Sequence, residues 1–371
     1  MGKPRARELG LAFPGLTGPW NAITDVPGLS VGMTTLNTGD GPLVQGQGPV
    51  RTGVTAILPR EEEGRPSPVW AGYAALNGNG EMTGTHWIDD AGYFLGPVCI
   101  TNTHSVGMVH HAVTGWMIRR YGAAFADGHL WAMPVVAETY DGVLNDINGR
   151  HVREEHVLAA LDGAASGPVA EGNVGGGTGM IAYEFKAGTG TASRRVTVGG
   201  AEYMVGVLVQ ANMGIRPWLK LLGVPVGRYL TADRLKEDES GSIIAVVATD
   251  APLGALSLRH VARRAGLGIG RTGTPGGNSS GDIFLAFSTA NRREMMEFEA
   301  PLGHFDILNG EYMNPVYLGA VEAVEEAIIN AMVAAEDMTT LKPAGRVCRA
   351  IDTAALVEVM GRHGRLRGAH P

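Results

Sequence analysis

The stretch Thr231-Ala232-Asp233-Arg234-Leu235-Lys236-Glu237-Asp238-Glu239-Ser240-Gly241-Ser242-Ile243-Ile244-Ala245-Val246-Val247-Ala248 changes character within a few residues. Its first ten positions hold Asp233, Arg234, Lys236, Glu237, Asp238 and Glu239, a composition that belongs in a solvated loop. Gly241 and Ser242 follow, and then an unbroken apolar run from Ile243 to Ala248. A short run of that kind reads as a strand buried on both faces. The chain therefore passes from solvent to core through Gly-Ser, and a strand covered on both sides requires a layered fold.

Working outward, similar β-like runs cover 52–58, 96–101, 132–138, 203–210, 242–249 and 283–288. Helical spacing alternates with them. Val109, Val113, Trp116, Met117 and Arg120 follow one face, as do Val157, Leu158 and Leu161 after the acidic start Glu154-Glu155. Pro252 ahead of Leu253, Leu256 and Val261 marks a helix with proline in its first turn, ended by Arg263, Arg264 and Gly266. The longest helix is expected over 317–338, with Val321, Val324, Ile328, Met332 and Ala335 on one side. The interleaving, without a βαβ unit bearing a dinucleotide fingerprint, predicts a mixed, layered α/β domain spanning residues 1–371.

Composition narrows the function. The 371 residues are 44% hydrophobic and 18% charged, which fits a packed globular chain and not a disordered one. Acidic residues outnumber basic ones, 37 to 30, which argues against nucleic acid as the main partner. Cys99 and Cys348 are far apart and lack metal-ligand spacing, so they read as buried thiols. No apolar run reaches the ~18 residues of a membrane span, and the basic start has no apolar segment behind it. The expected location is the cytoplasm. Glycine stands out: 55 residues, about twice the usual share of ~7%, without a collagen period.

Three features invite a chemical reading. The run Glu171-Gly172-Asn173-Val174-Gly175-Gly176-Gly177-Thr178-Gly179 offers backbone amides to an anion, yet lacks a P-loop ending; close packing of turns is the other reading. His86, His104, His110 and His111 cluster in sequence without paired-ligand spacing, so no metal is expected. Gly241-Ser242 is the third. If the bond between them is cut, Ser242 carries both a hydroxyl and an α-amine of pKa ~8 that serves as base for its own side chain. An ordinary turn before a strand is the competing reading.

Longer motifs resolve that choice. Asn21-Ala22-Ile23-Thr24-Asp25-Val26, Asn77-Gly78-Asn79-Gly80-Glu81-Met82-Thr83-Gly84-Thr85-His86, Ala137-Glu138-Thr139-Tyr140-Asp141-Gly142, Asn145-Asp146-Ile147-Asn148-Gly149, Val209-Gln210-Ala211-Asn212, Gly241-Ser242-Ile243-Ile244 and Thr274-Pro275-Gly276-Gly277-Asn278-Ser279-Ser280-Gly281-Asp282 occur in this order. With them the chain resembles the L-aminopeptidase/D-esterase family, which includes the β-peptidyl aminopeptidases. The resemblance implies a four-layer α-β-β-α sandwich and a precursor that cuts itself between Gly241 and Ser242 into residues 1–241 and 242–371. It implies that these chains stay together and assemble as tetramers of αβ heterodimers, without a cofactor.

The resemblance also assigns roles. Ser242 is the implied nucleophile, Tyr140 and Asn212 the oxyanion donors, and Ser280 and Asp282 the residues that contact the nucleophile and its amine. Glu138 is implied to receive the free amino group of short peptides, amides or esters. Some relatives carry glutamate where this chain has Asp282. Ser279-Ser280 before Gly281-Asp282 is a second conceivable junction, but the turn ahead of it has no acidic solvated loop. Two other readings stand beside this one: an acyltransferase resembling the ornithine acetyltransferases, and a non-catalytic phosphate- or nucleotide-binding module built on the glycine run.

Overall fold

The apolar run after Gly241 forms a strand over Ser242–Thr249, and all eight of its residues are buried. The computed structural model describes residues 3–60, 64–128, 130–235, 238, 241–295 and 300–368. Along the chain its strands are β1 (Ser30–Thr38), β2 (Val50–Leu58), β3 (Val69–Ala75), β4 (Tyr93–Phe94), β5 (Val98–Asn102), β6 (Val135–Thr139), β7 (Ile181–Ala182) and β8 (Phe185–Lys186). They continue as β9 (Thr189–Val198), β10 (Ala201–Asn212), β11 (Ser242–Thr249), β12 (Gly281–Ser288), β13 (Met338–Leu341) and β14 (Ala344–Cys348). The helices are α1 (Thr85–Ala91), α2 (Val106–Arg120), α3 (Gly122–Asp127), α4 (Glu154–Asp162), α5 (Ala255–Arg271), α6 (Asn314–Val333) and α7 (Thr353–Arg362).

Two sheets lie face to face. One runs β4-β3-β12-β11-β10-β9 and the other β1-β2-β5-β6. Strand alternation sorts β11 between two cores. Ile244, Val246 and Ala248 meet Ile57, Ile100, Val135 and Ala137 of the second sheet. Ile243, Ala245 and Val247 point the other way, towards Leu258, Val261 and Ala265 of α5 and Ala320 and Val324 of α6. The outer face of the second sheet is covered by α2 and α4 through Val113, Trp116, Val157 and Leu161. These four layers match the sandwich that the motifs imply.

The six strands expected from sequence all form, with ends shifted by a few residues. Of the acidic loop, Thr231, Ala232, Asp233 and Arg234 are exposed as expected, while Lys236, Glu237, Glu239 and Ser240 fall outside the described residues. The glycine run is a packing element. Gly175–Gly179 form a buried 3-10 turn in which Gly175 N–H and Gly176 N–H donate to Thr35 and Thr55 hydroxyls. A Cβ on Gly177 would sit 2.2 Å from Thr189 N, and one on Gly179 2.3 Å from Arg51 O. With Gly175–Gly179 buried and the Gly175 and Gly176 amides engaged, this turn is not open to an anion. Cys99 and Cys348 are buried and form no disulfide, and burial pushes the Cys99 thiol up to about 12. Among the described residues, no helix is long and apolar enough to cross a membrane.

Two helix boundaries differ from expectation. Pro252 precedes α5, which begins at Ala255 and continues through Gly266 to Arg271. Gly268 near its end is a contact point and not a stop signal: a Cβ there would stand 2.6 Å from Val321 O and 2.7 Å from Val324 Cβ of α6. The longest helix starts earlier and ends at Val333, because Met338 pairs with Cys348 in the β13–β14 ribbon. Gly268→Ala is therefore expected to destabilise the fold by about 1–3 kcal/mol through overpacking. Gly270→Ala, with nothing within 4 Å of the added methyl, should instead stabilise by about 0.5 kcal/mol through helix propensity. Paired thermal unfolding of the two variants checks the opposite signs.

Candidate active site

β11 brings Ser242 to a position fixed from both sides. It lies opposite Asn212 of antiparallel β10 and opposite Gly281 of parallel β12. Gly281 N–H donates to Ser242 Oγ at 3.1 Å. By strand alternation Ser242 shares the face of Ile244 and Val246, so its hydroxyl faces the space between the sheets. There the sheets leave a cavity of about 450 Å³ lined by Ser242, Gly241, Asn212, Tyr140, Glu138 and Thr103, with Asn79, Gly80, Glu81 and Ser279 along another wall. Val143 and Ile181 supply apolar surface.

Glycine is required around this hydroxyl by close approach. A Cβ on Gly241 would stand 1.9 Å from Asn212 O. One on Gly281 would be 2.4 Å from Asn79 O, and one on Gly80 3.3 Å from Glu138 Oε1. The excess of glycine in the composition thus has a local cause: three backbones meet where side chains leave no room.

Glu138 lies near the end of β6 and is buried. Its Oε1 accepts from Glu81 N–H at 2.9 Å and its Oε2 accepts from the Thr103 hydroxyl. Burial raises its pKa, against the two hydrogen bonds, which favour the charged form. Tyr140 follows just after β6 and is 44% exposed. Its hydroxyl packs on the bare Cα of Gly142, where a Cβ would approach to 2.3 Å. Asn212 is held at both ends of its amide: Nδ2 donates to Tyr140 O at 3.0 Å, and Oδ1 accepts from Ile181 N–H at 2.9 Å. That second bond aims the NH2 end of the amide, leaving Nδ2 a second hydrogen beyond the one given to Tyr140.

Ser280 and Asp282 pair with each other. Ser280 Oγ donates to Asp282 Oδ1 at 2.5 Å, and Asp282 N–H donates to Asn77 Oδ1 at 2.7 Å. They flank Gly281, whose amide is the group that touches Ser242 Oγ. Alternation along β12 turns Asp282 to the face of Phe284, and Gly281 to the face of Ile283. The cavity is lined by the other five residues expected from sequence. Sequence reasoning gave no role to Thr103, Glu81, Val143 or Ile181. Glu81 acts through its backbone N–H and Thr103 arrives on the turn after β5, so neither contact leaves a side-chain pattern to read.

The likeness to known proteins agrees with this geometry. The model of peptidase family S58 matches residues 21–345. The chain belongs to that family. It is 49% identical to the beta-peptidyl aminopeptidase BapA of Sphingosinicella microcystinivorans, over 99% of this chain and 94% of that protein. Among solved structures, the L-aminopeptidase D-Ala-esterase/amidase of Ochrobactrum anthropi superposes with a TM-score of 0.93 at 56% identity, covering 98% of this chain and all of that one. It is described as a prototype of the serine aminopeptidases and a variant of the Ntn hydrolase fold. A Burkholderia sp. beta-aminopeptidase follows at TM-score 0.88 and 44% identity, covering 97% of this chain and 99% of that one. The S58 protein described here thus has the Ntn-type layered fold and is a hydrolase of the serine aminopeptidase class.

Beneath Tyr140 lies a group that titrates with folding. Asp141 is fully buried, and burial lifts its carboxyl to about 7 despite nearby Thr52, Asn145 and Asn102. Between the ordinary value of 3.8 and about 7 the folded chain holds a proton that the unfolded chain releases. Stability contributed here is greatest at acid pH and declines as pH rises through that window. Denaturant midpoints of the wild type measured against Asp141→Asn from pH 4 to 8 should therefore fall as pH rises.

Proposed function

We propose that the chain is a precursor that cuts itself between Gly241 and Ser242, and that Ser242 then serves as an N-terminal nucleophile on short peptides, amides or esters with a free amino end. One observation carries the reading: a serine at the first position of a doubly buried strand faces a cavity that also holds a buried carboxylate, Glu138. In the precursor, Ser242 Oγ attacks the Gly241 carbonyl carbon. The peptide nitrogen leaves as the new α-amine, taking the hydroxyl proton, and water hydrolyses the resulting ester to free residues 1–241.

In turnover the α-amine of Ser242, with pKa ~8 in an unperturbed chain, accepts the proton as Oγ attacks the substrate carbonyl. The tetrahedral oxygen receives hydrogen bonds from the Tyr140 hydroxyl and the Asn212 amide. The leaving amine takes the proton, and water releases the acyl group. Because the new amine is the backbone nitrogen of Ser242, in register with Gly281, it emerges beside Ser280 and Asp282, whose charge supports its protonated form. Glu138 pairs with the substrate ammonium. Its burial makes an unpaired charge costly, which favours substrates that bring a cation.

Beta-peptides belong among the substrates in this reading, on the strength of the named relatives. The mature particle is taken to be a cytoplasmic tetramer of αβ heterodimers, with no nucleic acid or membrane partner. Two measurements test the site. A denaturing gel with N-terminal sequencing should give a fragment beginning Ser242-Ile243-Ile244, absent in Ser242→Ala; active enzyme that remains a single intact chain sinks the mechanism. Glu138→Gln should cost roughly 2–5 kcal/mol in kcat/KM, about thirtyfold or more. Glu138 and the α-amine must both lose a proton to act. Log kcat/KM should therefore rise with slope two at acid pH in the wild type and with slope one in Glu138→Gln.

A further inference from the structure

The turn Tyr183-Glu184 joins β7 to β8, and both residues have left-handed backbones, with φ of 52° and 63°. For bulky side chains this conformation is unfavourable and persists only where the surroundings fix it. Here they fix it from three directions. Ile181 N–H orients the Asn212 amide, and Tyr183 N–H donates to Met213 O at 2.8 Å, so the hairpin is tied to the end of β10. Tyr183 Oη shares a 2.6 Å hydrogen bond with Thr272 Oγ1 and accepts from Thr274 N–H at 3.2 Å, at the root of the turn that leads to Ser280.

The third direction leads to the junction. Glu184 is buried, and its Oε1 accepts from Arg216 N–H at 2.8 Å and from Arg234 Nε at 3.3 Å. Its Oε2 accepts from Leu235 N–H at 2.7 Å. Arg216, seated 3.3 Å over the Phe185 ring, donates to Leu230 O at 2.8 Å and Ala232 O at 2.9 Å. Arg346 of β14 donates to the carbonyls of Arg234 and Leu235. An exposed, highly charged segment is thus fastened at Leu230, Ala232, Arg234 and Leu235. From Leu235 to Gly241 the chain has only six residues, a reach of about 20 Å.

We propose that Glu184 is a positioning residue for self-cleavage: it anchors the chain at Leu235, a short tether ahead of the Gly241-Ser242 bond, to the hairpin that orients Asn212. The inference rests on the self-cleavage reading above. Holding Leu235 limits the directions from which the chain can enter Gly241, and so the orientation of its carbonyl towards Ser242 Oγ; orientation governs attack, since a displacement of about 1 Å can cost a hundredfold in rate. After the cut the anchor has no further part in turnover, since none of its contacts touches the substrate cavity.

The test follows the first-order self-cleavage of full-length wild type, Glu184→Gln and Leu235→Pro after purification of freshly translated chain. Glu184→Gln places an amide donor against N–H donors on one side of the former carboxylate, while Leu235→Pro removes one of the three donors without changing a buried charge. Precursor half-life should lengthen at least about tenfold in both. The fraction that does mature should keep wild-type kcat and KM on β-alanine p-nitroanilide, a split that a general loss of structure would not give. Should Glu184→Gln fail to fold, Leu235→Pro gives the same comparison. Wild-type cleavage at Ser242 with unchanged half-lives in the variants overturns this inference alone, as does an equal loss of kcat in matured variants. A wild type that stays uncut, or is cut elsewhere, overturns the self-cleavage reading and this one together.

Discussion

β11 is paired along both edges and covered on both faces, and the rest of the molecule follows from that. A strand so enclosed has its backbone groups satisfied by β10 and β12, and its side chains are divided between two cores. The position of Ser242 is thereby a matter of register. A slip of one residue against β10 or β12 would send its hydroxyl towards the helices and expel Ile244 and Val246 from the core between the sheets. The burial that stabilises the fold also aims the hydroxyl.

The groups around Ser242 come from separate parts of the chain, and the backbone joins them more than the side chains do. Glu138 is held by the Glu81 N–H, Asn212 by the Ile181 N–H and the Tyr140 carbonyl, and Ser242 by the Gly281 N–H. Backbone donors fixed by secondary structure need no reorganisation when charge develops beside them, which suits a site for acyl transfer. Dense backbone contact also accounts for the glycines: Gly80, Gly241 and Gly281 stand where a methyl group would strike a neighbouring chain.

Much of this was readable from sequence, for identifiable reasons. Apolar runs announce strands covered on both faces, so β2, β5, β10, β11 and β12 stood out, and so did the Gly-Ser entry to β11. β1 escaped notice because its burial weakens towards Thr38 and its sequence, Ser30–Thr38, is largely polar. β9 did so because Arg194 is buried against Glu322 and Glu326, a charge arrangement that no hydrophobic pattern reveals. The end of α5 was misjudged because glycine serves both as a helix stop and as a point of helix–helix contact, and sequence does not distinguish the two. Ordered motifs pointed to Glu138, Tyr140, Asn212, Gly241 and Ser242, which line one cavity, whereas backbone partners such as Glu81 and Ile181 leave no residue-type signal.

The cavity draws one wall from each sheet: Glu138 and Tyr140 come from β6 and its extension, Ser242 and Asn212 from β11 and β10. Asn212 Nδ2 joins the two walls at Tyr140 O, and the packed layer of Ile57, Ile100, Val135, Ile244 and Val246 holds the sheets apart. That layer acts as a spacer. Its thickness helps to fix the span between the carboxylate and the hydroxyl, which under the proposed function makes the length of the substrate backbone a property of core packing. Residues that never meet a substrate thereby hold the ruler against which it is measured.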